Sequence, residues 1–303
     1  MENLVVKVTD NTALYAGLPP SKSHLIRWLL MASQGEKTVK ITGVEGAAQD
    51  ACAMRDALIQ LGVQIDVEEN SWTVHGVGPE GFSTPLEILN LQNSGTAFRL
   101  LSFACLKIGE PVSITGDSTL DSRIDREFWN SLGVELQYAS NEQNLPLCIR
   151  GPFNKKSLTL DCSKTSQHLS AILLSMPARD EGLFLAIDGD IVSPRHARLS
   201  FQIAADCGSQ NKFGNWRIEP WKCDPPSQVD IPSDASHISF WKLYEILHST
   251  SLVIPEVAPG DSIGAELLLN LDLKSKQIID PSEANDLITP LAAAMALGGG
   301  GKI

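Results

Sequence analysis

The sequence lacks most of the features that announce a function. It holds no run of about 18 apolar residues, so no transmembrane helix is expected. Its first ten residues, MENLVVKVTD, lack the basic start and continuous apolar core of a signal peptide, and a cytoplasmic protein is the expectation. Basic residues are in deficit: 24 Lys and Arg against 36 Asp and Glu leave a formal net charge of −12. That average field repels polyanions, so neither nucleic acid nor an anionic membrane is expected as a partner. An acidic protein can still bind an anionic metabolite where a few Lys and Arg converge. The six cysteines (Cys52, Cys105, Cys148, Cys162, Cys207, Cys223) include no Cys-x-x-Cys pair and no Cys/His ligand spacing. Neither zinc nor a disulfide framework is signalled, and reduced thiols are the simple reading. There is no Gly-x-Ser-x-Gly elbow, no Walker sequence, no HExxH and no Gly-x-Gly-x-x-Gly after a strand. Nucleophilic hydrolase, kinase and nicotinamide chemistry are therefore unsupported.

What the chain does contain is a repeat. With 43% hydrophobic residues in 303, it can fill the cores of one large or two ordinary domains. Three strand-like segments align: VKITG (39–43), VSITG (112–116) and FLAIDG (184–189), whose closing glycines Gly43, Gly116 and Gly189 are 73 and 73 residues apart. Each leads into a helical stretch that closes on another glycine: MRDALIQLGVQI, REFWNSLGVEL and, more weakly, LSFQIAADCGS. Upstream of the strands lie further helices with similar polar starts: PPSKSHLIR (19–27), LQNSGTAFR (91–99), CSKTSQHLS (162–170), IPSDASHIS (231–239) and SEANDLITP (282–290). Lys22 to Gly43 is 21 residues, Gly95 to Gly116 is 21, and Ser166 to Gly189 is 23. The unit reads as helix, strand, helix, strand or strands. Copies of this kind are expected to pack around a shared helical core with sheets outside. If the polar helix starts meet, they make a positive pocket in a negative protein. The Pro- and Ser-rich stretch 224–233, DPPSQVDIPS, is the expected linker between copies three and four.

Candidate chemistry sits at those starts. Leu25, Leu29 and Leu30 follow PPSKSH at helical spacing, so a helix begins here. Its N-terminus beside Lys22 reads either as an anion site or as a capped surface helix. Ser23 and Arg27, four apart, share a face. Asn93, Ser94, Gly95 and Thr96 form the second start, where the glycine serves either close anion approach or a tight turn. Arg123 follows the second strand and reads as a site residue or a solvated arginine. Thr165, Ser166 and Gln167 can donate to phosphate or hydroxyl groups, or can form a plain capping cluster. Ser193 follows the third strand as Arg123 follows the second, with His196 nearby as a partner or an ordinary surface or core histidine. Asp234 and Asp286 open the fourth and fifth starts, where an aspartate is a helix cap or, in a cationic cleft, a general base.

Taken in order and spacing, PPSKSHLIR, NSGTAFR, SRID, TSQHLSAILL, DGDIVSPR, SDAS and NDLITPLAAAMAL resemble the 5-enolpyruvylshikimate-3-phosphate synthase family, across essentially the whole chain. The sister family acting on UDP-N-acetylglucosamine typically has asparagine after the lysine and a reactive cysteine on the second-unit loop. Here Ser23 follows Lys22, and GDSTLDSRID has no cysteine. The resemblance implies an α/β (α+β) fold in which βαβαββ units form two globular domains, the second incomplete here. The implied boundaries are a strand of the incomplete domain at 1–18, a complete three-unit domain at 19–228 and a partial domain at 229–303. The implied reaction is transfer of the enolpyruvyl group of phosphoenolpyruvate to the 5-hydroxyl of shikimate 3-phosphate, releasing phosphate, by a monomer with no metal or cofactor. Ser23, Arg27, Thr165, Ser166 and Ser193 would hold shikimate 3-phosphate. Gly95 and Arg123 would hold phosphoenolpyruvate, and Asn93 belongs to the substrate-binding set. Lys22 and Gln167 would touch both substrates, Lys22 also serving catalysis, and Asp286 would accept the 5-hydroxyl proton. Asp234 matches a structural acidic position at the hinge.

Three departures from the family pattern stand out. His196 replaces a frequent tyrosine, beside an unusual Pro194-Arg195 order. Copies four and five look shortened between LLLNLDL and IIDPSE. The chain stops at Ile303, where the family continues with a lysine–glutamate motif, two arginines, a histidine and a last lysine. Weak or absent catalysis by this polypeptide alone is the expectation, and a non-catalytic paralogue, or a fragment that binds a phosphorylated metabolite or a completing chain, is the alternative.

Overall fold

The computed structural model describes residues 17–78, 81–175, 177, 181–250, 252, 253, 272, 274–281 and 287–303. The chain divides into two compact units, one running from Pro19 to Pro232 and the other from Ser233 to Ile303 together with the segment ending at Leu18.

The larger unit is an α/β structure of three copies. The first contains α1 (Lys22–Gln34), β1 (Thr38–Thr42), α2 (Gln49–Gln60), β2 (Gln64–Val67) and β3 (Ser71–His75). The second contains β4 (Leu89–Asn90), α3 (Gly95–Cys105), β5 (Val112–Thr115), short α4 (Ser118–Asp121) and α5 (Arg126–Ser131), β6 (Glu135–Gln137) and β7 (Leu147–Arg150). The third contains β8 (Ser157–Asp161), α6 (Gln167–Ser175), β9 (Leu183–Asp188), α7 (Pro194–Asp206) and β10 (Arg217–Ile218). The expected strands at 39–43, 112–116 and 184–189 are β1, β5 and β9. The third outer helix starts at Pro194, five residues before the expected LSFQIAADCGS, because proline is favourable in the first helical turn.

The three sheets share one pairing scheme. β4 lies parallel to β5, which is antiparallel to β7, itself antiparallel to β6; β8 lies parallel to β9, which is antiparallel to β10. In the first copy the parallel partner comes from far along the chain: β11 (Gln228–Asp230) pairs with β1 in the register Ile41↔Val229, and β1 is antiparallel to β3, itself antiparallel to β2. The stretch expected as a linker supplies the three-residue strand Gln228–Asp230, and the two units part at its end, after Pro232. Its Val-Asp-Ile segment satisfies its backbone groups against a strand that otherwise has an open edge.

The repeat glycines share a cause as well. The residue after each first strand donates its N–H to the carbonyl just before the glycine: Ile231 to Thr42 at 3.0 Å, Leu91 to Thr115 at 2.9 Å, Cys162 to Asp188 at 3.0 Å. The chains then pass so closely that a Cβ on Gly43 would lie 2.9 Å from Ile231 O, on Gly116 2.4 Å from Gln92 O, and on Gly189 3.0 Å from Ser163 Cβ. Only glycine passes there without displacing a neighbour.

One central helix per copy, α1, α3 and α6, fills the middle. Residues 25–33, 97–105 and 168–175 are buried without a break, as a helix apolar on all sides requires. α1 is therefore a core helix rather than the capped surface helix that its first residues also allowed, and Ser21 at its N-cap makes no side-chain cap bond. α3 packs on α6, α6 on α7, and α1 on α2, α3, α6 and α7. Around α5, the rings of Phe98, Phe103, Phe128, Trp129 and Phe153 meet at centroid distances of 5.6–6.0 Å.

In the smaller unit, α8 (Ile238–His248) follows a short 3-10 turn, and Asp234 caps that turn by accepting from Ser236 N–H at 3.1 Å. The chain continues through β12 (Gln277–Ile278), α9 (Ile288–Leu297) and β13 (Gly301–Lys302); β12 and β13 are parallel, and α8 packs against α9. Residues 1–16 of the strand expected at 1–18, most of LLLNLDL and the fifth polar start through Asp286 lie outside the described residues.

Candidate anion site at the helix N-termini

Within the larger unit, hydrogen bonds join the N-terminal turns of α1, α3, α6 and α7 into one connected wall. Arg27 is the first link. It is 2% exposed; its Nη1 donates to Ser23 O at 2.8 Å, its Nε to Ser200 Oγ at 2.8 Å and its Nη2 to His196 O on α7 at 3.2 Å. Ser200 in turn donates to Ser170 Oγ on α6 at 2.8 Å. Ser166 Oγ, at the start of α6, donates to Ser193 O at 3.5 Å, where Ser193 takes a left-handed conformation (φ 48°) at the N-cap of α7. Thr165 Oγ1 accepts from Gln167 N–H at 3.2 Å, so part of the third start serves as a local cap.

Arg99 makes the link to α3. Its Nη1 donates to Gln167 Oε1 at 2.9 Å and to Gly95 O at 3.1 Å, its Nη2 to Arg123 O at 2.9 Å, and its Nε to His168 Nε2 at 3.3 Å. Arg123 is exposed and anchored through Nε to Thr119 O at 3.1 Å, and through Nη2 to Asn93 O at 2.6 Å and to Asn93 Oδ1. Gly95 opens α3 behind Ser94, whose hydroxyl accepts from Ala97 N–H at 3.3 Å. A Cβ on Gly95 would lie 2.8 Å from Arg99 Nη1, 3.5 Å from Arg123 Nη1 and 3.7 Å from Gln167 Oε1. A Cβ here would displace the Arg99 guanidinium, which lies against this backbone.

The electrostatics are one-sided. Lys22 Nζ lies 3.3 Å from Asp50 Oδ2 at the start of α2. Among the described residues, no carboxylate comes within ion-pair distance of Arg27, Arg99 or Arg123. Burial lowers Arg27 to about 10. Burial also lowers Arg99 to about 10, with a further push from the Arg123 charge partly offset by Asp125. Both remain protonated at neutral pH, so two buried guanidinium charges face neutral acceptors. A buried cation without a counter-ion is stabilised by any anion that reaches it. The α1 N-terminus, without a side-chain cap, adds backbone N–H groups of the same polarity.

The structure thus gathers Ser23, Arg27, Asn93, Gly95, Arg123, Thr165, Ser166, Gln167 and Ser193 in one network, with Lys22 at the mouth of α1. Asp286 lies outside the described residues, and Asp234 is a cap. Two members escaped the sequence reading. Arg99 repeats the relation of Arg27 to Ser23, each donating to the carbonyl four residues earlier, and both PPSKSHLIR and LQNSGTAFR end on arginine; that alignment could have found it. His168 is 3% exposed, stacks on Phe128 at 3.5 Å and 11°, and is lowered to about 3 by burial and by the Arg99 charge. No local pattern marks it.

Known proteins offer the following comparisons. A family model described as EPSP synthase (3-phosphoshikimate 1-carboxyvinyltransferase) matches residues 15–270. A 3-phosphoshikimate 1-carboxyvinyltransferase from Methanospirillum hungatei is 29% identical over 268 residues, covering 84% of this chain and 61% of that protein. One from Photobacterium damsela subsp. piscicida is 31% identical over 252 residues, covering 80% and 59%. The chain therefore spans about three fifths of the length of these curated relatives. Among solved structures, an EPSP synthase from Acinetobacter baumannii superposes with a TM-score of 0.64 at 24% identity, over 76% of this chain and 52% of that one. The enolpyruvyl transferase NikO from Streptomyces tendae superposes with a TM-score of 0.65 at 14% identity, over 95% and 74%. At such identities these two likenesses show the fold. No helix among the described residues is long and apolar enough to cross a membrane.

Proposed function

This chain belongs to the EPSP synthase family, and from that premise we propose that it takes part in moving the enolpyruvyl group of phosphoenolpyruvate to the 5-hydroxyl of shikimate 3-phosphate, with release of phosphate. The observation that carries the proposal is the wall of four N-terminal turns, in which Arg27, Arg99 and Arg123 bond to neutral acceptors and to no carboxylate among the described residues. Arg27, with Ser23, Thr165, Ser166 and Ser193, binds the phosphate and hydroxyls of shikimate 3-phosphate; charge-assisted bonds to a dianion replace what the guanidinium lost on burial. Gly95 leaves room for phosphoenolpyruvate against Arg123, beside Asn93, and Lys22 and Gln167 reach both substrates. A fixed array of cations and amides stabilises the charge that develops as the tetrahedral adduct forms, without reorganising at that moment. Asp286 takes the 5-hydroxyl proton. A monomeric cytoplasmic protein acting on small phosphorylated metabolites, with neither nucleic acid nor membrane as partner, belongs to the same proposal.

Isothermal titration of shikimate 3-phosphate against the wild type and Lys22→Ala tests binding, and a coupled phosphate-release assay with both substrates tests transfer. Binding that weakens in the variant, with phosphate release in the wild type, is the expected result. Binding without release leaves the chain a metabolite-binding relative of the enzymes; no binding at all overturns the reading.

A further inference from the structure

Building on that reading of the wall, we propose that Arg99 is a positioning residue: it turns Gln167 so that the amide offers its N–H groups to the anion, and His168 is the acceptor that seats Arg99. Arg99 commits four of its five N–H groups to the protein, on α3, on α6 and on the turn between α4 and α5. It is 7% exposed and has no need to touch a substrate.

Its effect follows from the symmetry of a glutamine side chain. The two ends of the amide are nearly the same size, and one accepts while the other donates. Either end could face a ligand. A guanidinium only donates, so Arg99 Nη1 selects Oε1 of Gln167, at 2.9 Å. The Nε2 hydrogens are thereby turned the other way, and no described residue accepts them. Flipped, the same amide would aim a carbonyl oxygen at an anion. Arg99 therefore decides whether Gln167 attracts or repels a phosphate.

Arg99 needs its own seat. Its Nε–H points to His168 Nε2 at 3.3 Å, which can accept because the imidazole is neutral with its proton on Nδ1. The ring lies flat on Phe128, at 3.5 Å between centroids, so the acceptor is held in place. The charged groups around this pair are Arg99 itself, Arg123 and Asp125.

A double-mutant cycle separates positioning from a direct charge effect. Arg99→Lys keeps the charge and loses the fork. Gln167→Ala removes the group acted upon. Titration calorimetry with shikimate 3-phosphate, and with phosphoenolpyruvate in its presence, is expected to show roughly tenfold weaker binding for each single variant. The double variant is expected to be no worse than the weaker single one. If Arg99→Lys costs the same factor with and without Gln167, the proposal falls. His168→Phe keeps the stack and removes the acceptor; it should weaken binding severalfold, and only when Gln167 is present. That second cycle carries the test if Arg99→Lys fails to fold. Should the wild type bind neither ligand, the enzyme reading falls separately. The positioning role is then decided by the Gln167 side-chain amide resonance in NMR, where an unchanged shift in Arg99→Lys overturns it.

Discussion

Arg27 holds a full charge where solvent scarcely reaches, and no carboxylate among the described residues pairs with it. Methionine at this position relieves the desolvation of the charge but leaves the Ser23 and His196 carbonyls without their donor, and the two effects oppose each other, whereas binding of an anion depends on the charge. We expect Arg27→Met to change unfolding free energy by no more than about 1–2 kcal/mol, measured by urea denaturation. Under the proposed function, shikimate 3-phosphate should raise the Tm of the wild type and leave that of the variant unchanged. His168 makes a second prediction. Its folded pKa of about 3 lies below the unfolded value of 6.5, so the unfolded chain takes up the proton first as pH falls. Its contribution is complete above about pH 6.5, declines through the window down to 3, and amounts to a loss of about 2 kcal/mol by pH 5. Denaturation at pH 7.5 and pH 5 should show that loss in the wild type and not in His168→Phe. Equal losses in both would mean that other groups set the acid limb.

At the scale of elements, the three parallel pairs and their closing glycines hold each central helix start beside its sheet. Of these three crossings, that at Gly116 is the tightest: an added methyl meets Gln92 O at 2.4 Å and also Leu120 Cδ2 at 2.4 Å. A carbonyl engaged in the fold cannot swing aside, so Gly116→Ala should destabilise by about 3 kcal/mol, read as a shift of the urea midpoint. Gly109→Ala, where a methyl meets nothing within 4 Å, is the control and should stay within about 0.5 kcal/mol. The same elements explain the anion wall. Because α3 and α6 are buried along their length, only their first turns reach the surface of the unit, and polar function is confined there.

At the scale of the whole molecule, the large core cluster draws its buried residues from Leu25 to Ile231, all inside the Pro19–Pro232 unit. A unit with its own core folds by itself. Residues 19–232 expressed alone should unfold in one cooperative thermal transition and keep the near-ultraviolet signal of the packed Trp129 and its aromatic neighbours; a broad, non-cooperative melt would refute this. The strand β11 should be essential to it, since ending the chain at residue 226 leaves β1 with an open edge.

The sequence by itself determined the repeat, the strands that close on glycine, the polar helix starts and most of the residues around the anion wall, because each is local: periodicity, spacing and small polar residues before an apolar run. It left open whether PPSKSHLIR caps a surface helix, what Gly95 is for, and where the first copy finds its parallel strand. Only the tertiary structure decided these. α1 is enclosed by α2, α3, α6 and α7, Gly95 faces two guanidinium groups and an amide, and β11 returns from nearly 190 residues away to pair with β1. Arg99 and His168 became visible for the same reason. Their importance lies in partners on other elements, and burial and hydrogen bonding between distant segments exist only once the chain has folded.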